Sequence, residues 1–310
     1  MPFLHVAAGA ICNAHGQVLI AQRRAGGPQG GRWEFPGGKL KPGESAYAAL
    51  VRELKEELGI SVTAARPLIQ IRHAYADRKV HLEVFAVTAF RGRPKARENQ
   101  PLAWVAIAEL ARYELLEANR PVVTALELPP FYPVLERAGS EKAYRERFKR
   151  LVWQGHRLLY WRARDLPEAA YLRLAEEFSR VLAQAGGCLM VRDLPYPEPW
   201  GAPVGLHLSA RQLAALPARP PGWRWVGAAC HSLAELRRAS QLGLDFAVLS
   251  PVRSTSTHPD AVPLGWQTVR AWIAWVNLPV YLLGGLGRLD LAQAWDCGAQ
   301  GIAGIGAFCA

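Results

Sequence analysis

Glu53, Glu56 and Glu57 lie three and four residues apart on the run AYAALVRELKEEL, with Arg52 among them and Glu44 upstream. On a helix that spacing puts side chains on one face. Like charges so placed repel by roughly a few tenths of a kcal/mol per pair. A hard divalent cation reverses that cost, because Mg²⁺ takes oxygen ligands and also grips substrate phosphates. Pro36, Gly37 and Gly38 permit a tight loop that brings backbone close to such an ion. Arg52, four residues before Glu56, is placed to brace it. The plainer alternative is a solvated acidic face flanked by lysines.

The elements that must hold these residues follow from periodicity. Residues 44–58 are helical, with Tyr47, Leu50, Val51, Leu54 and Leu58 as the buried stripe. HVAAGAIC and QVLIAQR, joined by NAHG, predict a β-hairpin. GGPQGG is a loop, and KVHLEVFAVTAF alternates as a long strand. PLAWVAIAEL is a strand entering a helix, and ANRPVVTALEL a last short helix. This is an α+β order. The prolines of ELPPFYPV place a domain boundary near Pro129–Pro130, giving domains 1–130 and 131–310. Beyond it, FYPVL, LLYWRAR, CLMV, VGLHLS, WRWVGAA, DFAVLSP, PVYLLGG and GIAGIGAF alternate with amphipathic stretches. Regular βα alternation implies a parallel sheet, and eight such strands suggest a (β/α)8 TIM barrel, with an open doubly wound sheet as the alternative. DLPYPEPWGAP is too rich in proline to supply the third helix.

From Gly38 through Glu44, Arg52-Glu53-Leu54 and Glu56-Glu57 to Gly59-Ile60, residues 38–60 match the complete Nudix box. Residues 1 to about 130 resemble the MutT-type 8-oxo-dGTP diphosphohydrolases of that family, whose fold is an α/β/α sandwich around a mixed sheet. The resemblance implies hydrolysis of a nucleoside triphosphate to monophosphate and pyrophosphate with Mg²⁺ or Mn²⁺. It implies Glu53, Glu56 and Glu57 as metal ligands, with Gly37 or Gly38 carbonyls as additions. Glu98, in KARENQPLAW, is then a further ligand or the general base, and Glu53 the other base candidate. Asn119, in LEANRPVV, takes a base-reading position, where an amide both donates and accepts. The local sequence equally allows Asn119 to be a helix cap before Pro121. Arg23, Phe35 and Arg78 are further candidates for that pocket, although Arg23 fits a surface charge and Phe35 fits the core as well.

Residues from about 131 to 310 resemble the thiamine phosphate synthase/TenI superfamily. LSPVRSTSTHPDAVPLG looks like its phosphate loop, with Thr255 and Thr257 in hydroxyl positions. Gly284-Gly285 and GIGAF look like further phosphate-cradling segments. Arg162 and Arg164 stand where the family binds pyrophosphate. His231 stands where the family often has a histidine, one that is catalytic in TenI-type tautomerases; a structural histidine in a βα loop is the alternative. Two positions depart from the pattern: an Asn-Asp pair appears as Arg192-Asp193, and an aspartate as Gln212. An amide and a cation make a poor Mg²⁺ site, so thiamine phosphate synthesis is not expected.

The chain of 310 residues carries 37 Lys and Arg against 26 Asp and Glu, a net +11 that suits acidic partners. The basic residues are dispersed and form no nucleic-acid motif, so the expected partners are a nucleotide substrate and a phosphorylated small molecule in the barrel. Five scattered cysteines without a C-x-x-C pair argue against a disulfide framework or zinc cluster. No leader and no membrane-spanning apolar run is read, and the expectation is a cytoplasmic protein. The leading expectation is an oxidised-nucleotide hydrolase of nucleotide-pool sanitation with a degenerate barrel. The alternatives are a thiamine-pathway enzyme, such as a thiazole tautomerase or a hydrolase of a pyrophosphorylated intermediate, and a barrel that only binds a phosphate ligand to regulate the other half.

Overall fold

A computed structural model describes residues 3–26, 29–194, 201–255 and 260–308. The chain divides into two compact units, Met1–Glu127 with Ala274–Asn277, and Leu128–Ile273 with Leu278–Ala310. Among the described residues no helix is long and apolar enough to cross a membrane.

The first unit runs β1 (Phe3–Ile11), β2 (Gln17–Gln22), β3 (Trp33–Glu34), β4 (Gly37–Lys39), α1 (Ala46–Leu58), β5 (Ser61–Ala74), β6 (Lys79–Arg91), β7 (Leu102–Ala106) and α2 (Arg120–Glu127). A mixed sheet in the order β4-β1-β6-β5 has β1 and β6 parallel. A second sheet has the order β3-β2-β7. Alternation sorts β1 onto two cores. Ala7 and Ile11 pack with Leu50, Leu54 and Leu58 of α1. Ala8 and Ala10 pack with Val122 and Ala125 of α2. The sandwich read from the sequence is therefore present.

Helix α1 starts where the Ser45 hydroxyl accepts from the Ala48 amide at 3.2 Å, and ends at Gly59 in the left-handed region, φ 72°. Its buried stripe is Ala49, Leu50, Leu54 and Leu58. Tyr47, expected in that stripe, is 43% exposed and meets the sheet edge-on at Phe85. Val51 is only half-buried. The expected hairpin opens: a single Cys12–Val18 bridge joins the arms, and β2 then leaves for the second sheet. Strand β5 was not read from the sequence. The segment expected to enter a helix after β7 forms a 3-10 helix over Ile107–Arg112.

The second unit runs β8 (Phe131–Leu135), α3 (Glu141–Trp153), β9 (Leu158–Trp161), α4 (Glu168–Gln184), β10 (Cys188–Val191), β11 (Val204–Leu208), α5 (Ala210–Ala215), β12 (Val226–Cys230), α6 (Leu233–Gln241), β13 (Phe246–Leu249), α7 (Gly265–Ile273), β14 (Val280–Leu282), α8 (Leu291–Asp296) and β15 (Gly301–Gly304). All eight strands are parallel, and β15 returns to β8 through Ile302–Phe131, Ala303–Tyr132 and Gly304–Pro133. That closure excludes the open sheet. Tyr132, Tyr160, Met190, Phe246 and Tyr281 fill the barrel. Among the described residues no helix follows β10 before β11.

Candidate active site

In the first unit a cavity of about 430 Å³ is lined by Glu34, Glu57 and Glu98, by Gly37 and Gly38, and by Phe35, Tyr75 and Asn119. Strand β4 pairs with β1, Ala7 opposite Gly38 and Ala8 opposite Gly37. Gly37 is required by backbone contact, and Gly38 by the room it leaves for the Glu53 carboxylate. A Cβ on Gly37, whose φ is 149°, would lie 2.1 Å from the Ala7 carbonyl oxygen. A Cβ on Gly38 would lie 2.3 Å from the Glu53 carboxyl carbon. The missing side chains let the acidic face of α1 sit directly on β4.

Arg52 does more than brace Glu56. Its guanidinium donates to both Glu44 oxygens at 2.8 Å, to Glu53 at 2.7 Å, to Glu56 at 3.2 Å and to the Lys39 carbonyl at 3.0 Å. The loop before α1 is thus tied to the middle of the helix. Arg52, and after it the Lys41 amide, hold the Glu44 carboxyl down at about 2. Glu56 is 55% exposed and does not line the cavity.

Glu57 has the opposite environment. Its oxygen accepts from the Gly37 amide at 3.2 Å. Burial, then the charges of Glu53, Glu98 and Glu34, push its carboxyl up to about 8. A set of carboxylate oxygens gathered around the buried Glu57 fits a hard divalent cation such as Mg²⁺ or Mn²⁺. Gln100, 8% exposed, links the two acid-bearing segments: its carbonyl accepts from the Glu98 amide at 3.0 Å and its NH₂ donates to the Glu57 carbonyl at 3.5 Å. Glu98 itself is exposed, with its carboxylate 4.0 Å from Arg24.

Asn119 ends a short 3-10 turn, Glu117–Asn119, just before α2, and is 3% exposed. It lines the cavity, and among the described residues no hydrogen bond from its side-chain amide caps α2. Phe35 serves both readings, lining the cavity and packing in the core. Arg23 reaches the cavity but is bound to both Glu34 oxygens, at 2.9 and 2.7 Å. Arg78 lines it beside Asp77, 3.1 Å away. Glu34, Tyr75 and Gln100 are among the lining residues that escaped the sequence reading. Glu34 was hidden inside RWEFPGGK. Tyr75, whose hydroxyl accepts from the Ala118 amide at 3.4 Å, was hidden in a turn.

The second unit holds its own cavity, also of about 430 Å³, lined by Tyr132, Tyr160, Arg162, Arg164, His207, His231, Thr255 and Gly284. Thr257 lies outside the described residues. Gly284 (φ 104°) and Gly285 (φ 65°) turn the chain beyond β14. Arg162 pairs with buried Glu136 at 2.9 Å. The His231 Nδ1–H donates to the Ser250 carbonyl at 2.9 Å, which leaves Nε2 as the acceptor. His207 was not singled out from the sequence. Its Nδ1 lies 3.0 Å from the Tyr132 hydroxyl and its ring stacks on Tyr160 at 4.2 Å. Burial, then the Arg162 charge, push it down to about 3, so it is neutral. Asp193 accepts from Arg192 at 2.7 Å and from the Gln212 amide at 3.1 Å, one bond to each carboxylate oxygen.

Family comparisons divide the chain in the same way. The family described as "NUDIX domain" matches residues 7–125, and that described as "Thiamine monophosphate synthase" matches residues 131–308. The CTP pyrophosphohydrolase of Escherichia coli (strain K12) is 41% identical over 116 residues, 37% of this chain and 86% of that protein. The 8-oxo-dGTP diphosphatase of Proteus vulgaris is 49% identical over 88 residues, 28% of this chain and 79% of that protein. The putative thiamine-phosphate synthase 2 of Aquifex aeolicus (strain VF5) is 29% identical over 184 residues, 59% of this chain and 99% of that protein.

Proposed function

We propose a reaction for a chain that belongs to two families, the Nudix family through residues 7–125 and the thiamine monophosphate synthase family through residues 131–308. Its N-terminal half is a Nudix pyrophosphohydrolase. The proposed substrate is 8-oxo-dGTP, cleaved by water to 8-oxo-dGMP and pyrophosphate, a reaction that clears oxidised nucleotides. The observation that carries this reading is a single cavity holding both the acid cluster around Glu57 and the buried amide of Asn119.

Glu53, Glu56, Glu57 and Glu98, with the Gly37 and Gly38 carbonyls, would hold Mg²⁺ or Mn²⁺. When bound, the ion neutralises charge on phosphate oxygens and acidifies the attacking water. Glu98 is the favoured acceptor of the water's proton, because Glu53 is engaged by Arg52 at 2.7 Å while the Glu98 carboxylate is exposed. Asn119 reads the base edge, Phe35 and Tyr75 supply apolar wall, and Arg78 borders the same space. Arg23 acts by fixing Glu34.

A pyrimidine nucleoside triphosphate is the second reading, supported by the identity to the E. coli CTP pyrophosphohydrolase. Steady-state kinetics of the full chain on 8-oxo-dGTP, dGTP and CTP separates the two. The first reading requires the highest kcat/KM for 8-oxo-dGTP, with monophosphate and pyrophosphate as products. The barrel is proposed to bind a phosphorylated small molecule through Arg162, Arg164, Thr255, Thr257, Gly284 and Gly285, with His231 facing it, and not to form thiamine phosphate. The bonds of Asp193 to Arg192 and Gln212 support that restriction.

A further inference from the structure

Three side chains of the first unit have no part in the hydrolytic site. His5 on β1 is the direct neighbour of His81 on the parallel strand β6, and Glu83 follows His81 by two residues, on the same face. The two imidazoles stack with centroids 4.4 Å apart and planes 13° apart. His5 Nε2 lies 2.6 Å from a Glu83 oxygen. His81 Nε2 is buried and has no hydrogen-bond partner. One donor atom from each of the three residues lies within 4.8 Å of the others.

A buried ring nitrogen without a partner is costly to leave so. Two imidazoles and one carboxylate with donor atoms this close form a common ligand set for a borderline-soft divalent ion, and a turn of the stacked rings aims both nitrogens at it. We infer that His5, His81 and Glu83 bind a divalent transition-metal ion of the zinc type, at a site built from none of the Nudix carboxylates. Metal–ligand bonds of about 2.0–2.1 Å put tetrahedral donors roughly 3.3 Å apart. The His5–Glu83 hydrogen bond therefore opens slightly on binding, and His5 takes the tautomer with its proton on Nδ1 so that Nε2 faces the ion. All three residues are partly exposed, so water completes the coordination. Backbone pairing sets the geometry: the His5–His81 register and the hydrogen bond from the Leu40 amide to the His5 carbonyl, 3.1 Å, fix the strand that carries His5.

The test uses Co²⁺ as a probe on the full chain, with excess Mg²⁺ present to occupy the carboxylate site. One equivalent of Co²⁺ should bind with visible d–d absorption, and Zn²⁺ should displace it. His5→Gln and His81→Gln should each weaken that binding by at least about tenfold, while Glu57→Gln leaves it intact. Unchanged thermal transitions of the histidine variants separate ligand loss from misfolding. No binding in excess Mg²⁺, or binding that survives both histidine substitutions and is lost in Glu57→Gln, overturns the inference.

Discussion

Glu57 and Asn119 concentrate the chemistry of the first unit into two side chains of opposite kind. One is a carboxyl driven up to about 8 by burial and three neighbouring acids. The other is a buried amide that lines the same cavity. Replacing Asn119 by Ala should cut the preference for 8-oxo-dGTP over dGTP by about fivefold or more, since a lost base hydrogen bond is worth about 1 kcal/mol or more. Competition kinetics with both nucleotides reads that ratio, and an unchanged ratio removes Asn119 from base recognition. In the barrel, His207 is the residue that sets a pH dependence. Its folded pKa, about 3, lies below the ordinary imidazole value. The unfolded chain therefore binds a proton that the folded chain refuses, and stability is lost as pH falls from about 6.5 towards 3. At pH 5 the loss is about 2 kcal/mol for one such imidazole. His156, pushed down to about 4, acts in the same direction. Denaturation at pH 7 and pH 5 should show this decrement, and His207→Phe should shrink it.

At the level of elements, the site depends on two segments being held in step. Helix α1 brings Glu57, and the loop before β7 brings Glu98. Gln100 is the only described side chain that bonds both, through the Glu98 amide and the Glu57 carbonyl. Gln100→Ala should lower kcat by about tenfold with a smaller change in KM, because its two bonds hold the acid-bearing segments in step. A raised KM at constant kcat would assign Gln100 to binding instead. The helix itself was plain in the sequence. Ser45 and Gly59 mark its ends, and Leu50, Leu54 and Leu58 keep one spacing. Strand β5 was not, because SVTAARPLIQIRHA carries Pro67, Arg66 and Arg72, and its pairing slips at Val62–Ala64, Ala64–Ala65 and Pro67–Ile69. Those irregularities erase the two-residue alternation that reveals a strand. The hairpin failed for a related reason. Local turn chemistry marks where the chain reverses, and the partner chosen after Cys12 depends on distant strands β3 and β7. Barrel strands were easy because most are short runs buried throughout. The same burial hid His207, a polar residue inside VGLHL whose partners Tyr132 and Tyr160 lie far away in sequence.

Over the whole molecule, one chain carries two cavities with opposite electrostatic content. The first is rich in carboxylates, and the second is flanked by Arg162 and Arg164. The full chain, given the pyrimidine pyrophosphate and thiazole phosphate substrates of the synthases with Mg²⁺, should form no thiamine phosphate; product detected by chromatography would reinstate synthesis. The central claim is the hydrolysis at the first cavity. Its most direct measurement is pyrophosphate release from 8-oxo-dGTP and dGTP by the full chain with Mg²⁺, beside the Glu57→Gln variant. The account predicts a kcat/KM at least about tenfold higher for 8-oxo-dGTP, and a loss of about a hundredfold or more in the variant. Equal turnover by Glu57→Gln, or no release of pyrophosphate from either nucleotide, contradicts it.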